Sequence, residues 1–159
     1  MYTKEELKEL KLQFWAGFKA FVQNHPDPEI KRKRWLLNDT GVSGVAFRFD
    51  FDRENAFVMI ELQHKNEVRR LRTFEILEQY KVVMEEGFQD GLNWEFYHKR
   101  DDNGQEVCRI YHSLGNVDFH QPNHWPEVYA FFTENMPKLE ENFLMVKEVL
   151  KEELRRFTI

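Results

Sequence analysis

Val45-Ala46-Phe47-Arg48-Phe49-Asp50-Phe51 is followed by Asp52-Arg53-Glu54-Asn55 and then by Ala56-Phe57-Val58-Met59-Ile60-Glu61-Leu62-Gln63. In the first segment Val45, Phe47, Phe49 and Phe51 alternate with Ala46, Arg48 and Asp50. A period of two puts successive side chains on opposite faces, so this is a strand with one apolar side. Val58, Ile60 and Leu62 repeat the alternation in the third segment. The polar connector has hairpin length, so the two strands pair antiparallel.

Outward from this hairpin the period changes to that of helices. Upstream, Leu7, Leu10, Phe14, Phe18, Phe21 and Val22 recur every three or four residues, which predicts an amphipathic helix. Thr3 and Glu6 are placed as a capping box at its start, and the prolines of His25-Pro26-Asp27-Pro28 end it. Trp35-Leu36-Leu37 is an optional short strand, closed by the turn signal Asn38-Asp39-Thr40-Gly41. Downstream, Asn66 is an N-cap for a second long helix that buries Val68, Leu71, Phe74, Leu77 and Met84 and ends at Glu86-Gly87. Leu92 to Lys99 and Glu106 to His112 flank an Asn103-Gly104 turn and form a second hairpin. Ser113 to Asn123 reads as a polar loop. A third long helix carries Phe132, Met136, Leu139, Phe143, Val146, Leu150 and Leu154, with a kink or a break expected at Pro137.

The order α-β-β-(β)-α-β-β-α predicts an α+β fold. An antiparallel sheet of two hairpins, four to five strands, is flanked by three long helices. With 159 residues, 42% of them hydrophobic and 15 of them phenylalanine, one globular domain over residues 1–159 is expected.

Charge and cysteine content narrow the setting. The net charge is −5, which lacks the strongly basic balance of a dedicated nucleic-acid binder. Lys31-Arg32-Lys33-Arg34 is the local exception. It reads first as a solvated charge run and second as a patch contacting phosphates. The single cysteine, Cys108, rules out an intramolecular disulfide and favours a reducing compartment. No run approaches the roughly 18 apolar residues of a membrane span. A cytoplasmic location with no membrane partner is expected.

Four residues make the sharpest candidate for chemistry. Asp50 and Asp52 end one strand of the first hairpin, and Glu61 and Gln63 lie on the next. Metal-dependent nucleases place carboxylates in this way to hold Mg²⁺, with a third residue, usually lysine, orienting the attacking water. Gln63 stands at the lysine position here, and no proline precedes either aspartate. The His120/His124 pair has zinc-ligand spacing, but Pro122 between them opposes a helix. His98 and His112 fall on opposite faces of the second hairpin. Cys108, within a strand, reads as a small buried hydrophobe rather than a thiolate. Trp94, Tyr97, Tyr111, Phe119 and Trp125 gather near the second hairpin, as core first and as a partner-binding patch second. The last helix serves as a dimer seam or as a cover for the sheet.

Motifs along nearly the whole chain carry a family resemblance. They are Phe14-Trp15, Gly41-Val42-Ser43-Gly44, Ile60-Glu61-Leu62, Asn66 with Phe74, Glu85-Glu86-Gly87, Asn93-Trp94-Glu95, Arg109-Ile110-Tyr111, His124-Trp125-Pro126, Phe131-Phe132 and Asn135-Met136. The chain resembles the bacterial family called domain of unknown function 4268. The resemblance implies a domain that stands alone or is appended to nuclease-like and restriction-associated domains, hence a nucleic-acid or defence context. It carries over no catalytic residue. The leading expectation is therefore a non-catalytic binding or assembly module that associates with itself or with another protein. The alternatives are a Mg²⁺-dependent nuclease using Asp50, Asp52, Glu61 and Gln63, and a nucleic-acid-binding module using Lys31 to Arg34.

Overall fold

The computed structural model describes residues 1–33, 35 and 40–157. Helix α1 (Lys4–Gln23) starts with the expected capping box: the Thr3 hydroxyl accepts from the Glu6 N–H, and the Glu6 carboxylate accepts from the Thr3 N–H. A single helical turn, α2 (Pro28–Lys31), follows the proline pair. Strands β1 (Val45–Phe51) and β2 (Asn55–Leu62) form the first hairpin. Next come helix α3 (Glu67–Gln79), the short α4 (Lys81–Met84), and the second hairpin of β3 (Asn93–Lys99) and β4 (Glu106–Gly115). A 3₁₀ turn at Pro122–His124 leads into α5 (Trp125–Arg156).

The sheet is antiparallel and four-stranded, in the order β1-β2-β4-β3. The two hairpins are joined at its centre by β2 and β4. One face carries rows of apolar residues in register: Phe47 beside Ile60 and Ile110, and Phe49 beside Val58. All three long helices pack on this face. Phe14 and Phe18 of α1 meet Phe51 and Phe49, Phe132 and Phe143 of α5 meet Phe49 and Phe47, and Phe74 of α3 meets Trp94. Phe14, Phe132 and Phe143 are essentially inaccessible to water. At roughly 1.5–3 kcal/mol for each large apolar side chain buried, this aromatic layer dominates the stability of the fold.

Several boundaries differ from the sequence reading. The second helix is interrupted at Tyr80 (φ −106°, ψ 27°), with no proline or glycine at the break. Val68, expected inside, is exposed. The third helix begins at Trp125, with Pro126 in its first turn, and runs unbroken through Pro137. It covers the sheet, as one of its two expected roles required. Strand β4 continues through Ser113 and Leu114 to Gly115, because those residues pair with Phe57, Ala56 and Asn55 of β2. The optional strand at 35–37 and its turn lie largely outside the described residues. Trp35 itself is buried and donates to Glu140 on α5.

Candidate functional site: a buried carboxylate under an arginine lid

Among the described residues the ring contacts of the long helices are with the first face of the sheet, yet Phe57, Met59, Glu61, Val107 and Arg109 on the second face are all buried. Long polar side chains from the strands and from the tip of the second hairpin cover them. The register places Ala46, Glu61, Arg109 and Glu95 in one row across all four strands. Glu61, with 0% of its surface exposed, lies at the centre of that row. Its Oε2 accepts from Arg48 Nη1 at 3.1 Å. Its Oε1 accepts from Arg100 Nη1 at 3.1 Å and from Gln63 Nε2 at 2.9 Å. A carboxylate taken fully out of water must be neutralised and hydrogen-bonded, and two guanidiniums and an amide supply both needs here.

The lid extends outward from this centre. Arg100 also donates through Nε to Asp102 at 2.9 Å. Its bond to Asp102, partly offset by burial and aided by Glu61, holds the guanidinium above the usual arginine range, and Asp102 is held below the usual carboxylate range by the same contact. Arg109 lies over the rings of Phe57 and Tyr111, 5.3 and 4.9 Å from their centroids, and its Nη2 donates to Glu95 at 3.3 Å. Guanidinium planes stack well on aromatic faces, so Arg109 acts as a cover for Phe57 as well as a charge. A cleft of about 360 Å³ opens beside the lid, where the end of β1 faces α1. Lys11, Trp15, Arg48, Asp50, Asp102 and Arg109 are among its lining residues.

The four residues of the nuclease expectation are not gathered. Asp50 shares a face with Glu61 but stands opposite Phe57, while Glu61 stands opposite Ala46. Four residues of strand separate those positions by about 13 Å. Asp52 caps the turn, its Oδ1 accepting from the N–H groups of Glu54 and Asn55 at 2.8 Å. Gln63 does meet Glu61, but as a donor that occupies one of its oxygens. Among the described residues, no group of three or more His, Cys, Asp or Glu is placed to hold a metal ion.

The basic run is dispersed. Arg32 pairs with Glu29 at 2.7 Å and Lys33 with Glu140 at 3.2 Å, Lys31 ends α2, and Arg34 lies outside the described residues. His124 Nδ1 accepts from the Asp118 N–H at 3.0 Å, while His120 stands edge-on to Tyr2. His98 pairs with Glu95 on the lid side, whereas His112 touches Phe88 and Phe131 on the core side. Cys108 is buried, its Sγ donates to the Phe96 carbonyl, and burial pushes its thiol up to about 11. A thiol raised that far is protonated at neutral pH and inert. Of the five gathered aromatics, Trp125 and Phe119 are core, while Tyr97 is exposed.

Sequence reasoning passed over Arg48, Arg100 and Arg109, which organise this site. A signal existed for Arg48. It alternates with the phenylalanines of β1 and so lies on the face of Glu61, and opposite charges at diagonal positions of paired strands are within reach of a long side chain.

The fold and site together define an α+β domain whose sheet is covered by helices on one face and by an arginine lid over a buried glutamate on the other. The family model for Domain of unknown function (DUF4268) matches residues 10–147, and the chain belongs to that family. No curated protein and no solved structure matches it. No helix among the described residues is long and apolar enough to cross a membrane.

Proposed function

We propose that this chain is a non-catalytic binding and assembly module, one that holds a partner, including a second copy of itself, without transforming it. The observation that carries this reading is that both oxygens of Glu61 are already engaged by Arg48, Arg100 and Gln63. The carboxylate best placed to act as a catalytic group is fully buried and takes hydrogen bonds from Arg48, Arg100 and Gln63. A metal ligand or general base needs a free lone pair facing the reacting atoms. Glu61 instead orders the two arginines that it binds, and Arg48 and Arg100 in turn line the neighbouring cleft. Clefts with a few fixed polar groups and an aromatic wall are the usual form of a recognition site.

The reading is tested by assaying the protein on single- and double-stranded nucleic acids with Mg²⁺ or Mn²⁺, beside a Glu61→Ala variant. The expected outcome is no cleavage by either protein. The variant should unfold about 1–3 kcal/mol more easily, because Arg48 and Arg100 lose the buried carboxylate between them and keep only Asp102 as a counter-charge. Cleavage by the wild type that is lost in the variant would instead establish the alternative, a Mg²⁺-dependent nuclease using Asp50, Asp52, Glu61 and Gln63. The assembly part is tested by sedimentation velocity over a concentration series, where a species larger than the monomer is expected. Binding of either nucleic acid that weakens with salt would favour the other alternative, contact through Lys31 to Arg34.

A further inference from the structure

The cleft beside the lid carries unspent groups of both signs. Arg109 is 7% exposed, and among the described residues only its Nη2 has an acceptor, Glu95 at 3.3 Å. Its Nε is buried with no acceptor. A buried donor left unpaired costs free energy, so native proteins keep few of them. Asp50 is the counterpart of opposite sign. Its Oδ1 accepts from the Phe51 N–H at 2.9 Å. It makes no ion pair among the described residues, and Arg100 feels its charge only at a distance. Both groups border one ring. Asp50 stands opposite Phe57 across the first hairpin, and the Arg109 guanidinium lies 5.3 Å from the centre of the same ring. Arg109, Asp50 and Phe57 all line the cleft, and the partly buried Trp15 and Phe51 add aromatic surface to it.

We infer that this cleft binds a small aromatic zwitterion, of the class and size of an aromatic α-amino acid. Its carboxylate meets Arg109, its ammonium meets Asp50, and its ring lies against the aromatic lining. This rests on the reading of the chain as a non-catalytic binding module. Charge balance selects a zwitterion. Lys11 and the three arginines of the lid share the lining with Asp50, Asp52, Asp101 and Asp102, so neither sign prevails. A polyanion such as nucleic acid would be brought against these carboxylates, and a polycation against the arginines, and like charges in a partly buried site repel. A molecule with one charge of each sign finds a partner for both. Size selects a small one, because about 360 Å³ lies at the low end of the roughly 300–1,000 Å³ of ligand sites. The lining selects an aromatic body, since rings in stacked or edge-to-face contact gain more than their buried area alone supplies. Phe57, Tyr111 and Glu95 already hold the Arg109 guanidinium, so binding orders little that is not ordered beforehand.

Isothermal titration calorimetry of the wild-type protein with L-phenylalanine, L-tyrosine and L-tryptophan tests the class. At least one should bind with a Kd of about 0.1 mM or tighter, within the affinity per atom that small ligands reach. The amide of the tightest binder lacks the carboxylate, and its N-acetyl derivative lacks the ammonium. Each should bind at least tenfold more weakly. Asp50→Asn should weaken the free amino acid at least tenfold and leave the N-acetyl derivative unchanged. Arg109→Gln should weaken the free amino acid to the same degree and leave the amide unchanged, with folding checked by far-UV circular dichroism. These pairings separate loss of a contact from a general loss of structure, because general damage would weaken every ligand alike. No binding of any of the three amino acids to the wild type would overturn the inference, and a species larger than the monomer in sedimentation would leave the module reading standing. An amide or N-acetyl derivative that binds as tightly as the free amino acid would overturn the zwitterion. Recovery of a chemically altered amino acid would overturn the non-catalytic reading and leave the site in place.

Discussion

At the residue scale, two histidines make folding sensitive to pH. His64 is buried where its ring closes against Gly44: a Cβ added there would come within 2.4 Å of it, and Gly44 holds φ +81°. Burial, with Arg69 and Arg70 nearby, lowers the His64 pKa, and burial followed by Lys138 lowers that of His112. In the unfolded chain both imidazoles protonate near pH 6.5, before the folded ones do. The unfolded state therefore binds more protons as pH falls, so the stability is full above about pH 6.5 and declines below it, through the lowered folded values. Urea midpoints at pH 7.5 and 5.5 should show this loss, and replacing both histidines with glutamine should flatten the dependence. An equally steep decline in that double variant would assign it to other groups. Gly44 was legible in the sequence only as part of a family motif. The need for glycine there comes from a ring that the chain brings back from the far end of β2.

At the scale of elements, α4 illustrates a structure held from outside. Four residues make no self-sustaining helix, because nucleation fixes several residues for a single hydrogen bond. Asn142 of α5 donates to the Met84 carbonyl at 2.9 Å and to the Glu86 carbonyl at 2.7 Å, satisfying groups that the end of α4 leaves open. Asn142→Leu should lower the stability by about 1–3 kcal/mol and speed amide exchange around 81–88. Unchanged exchange there would mean that packing of Met84 alone fixes the turn. One long helix was expected where two occur, because apolar spacing continues through Tyr80 with no proline or glycine at the break. Strand pairs, by contrast, were legible wherever a turn joined neighbours. The Asn103-Gly104 signal closes the second hairpin with Gly104 at φ +71°, and the first hairpin keeps the alternation read from Val45 to Leu62. The extension of β4 to Gly115 was not legible, because its pairing with Asn55 is long-range.

At the scale of the molecule, one apolar cluster draws on α1, α3, α5 and on β1, β2, β3 and β4. A core shared by every long element should make unfolding a single transition. Urea curves followed by tryptophan fluorescence and by far-UV circular dichroism should then superimpose. Separated curves would divide the chain into more than one folding unit.

The division between what the chain encodes locally and what only folding decides follows from range. Period-two and period-3.6 patterns, the Thr3/Glu6 cap and the turn residues are short-range, and by themselves they determined the α+β class, the two hairpins and the buried faces of α1 and α5. The order β1-β2-β4-β3, the lid of Arg48, Arg100 and Arg109, and the burial of Glu61 depend on contacts between segments far apart in sequence. Asp50, Asp52 and Glu61 look like one constellation in a linear reading because spacing records neither register nor competing partners. The tertiary structure set Asp52 to a turn, moved Asp50 along the strand, and placed Glu61 between two arginines, since a carboxylate buried at the centre of a sheet is tolerable only when cations meet it there.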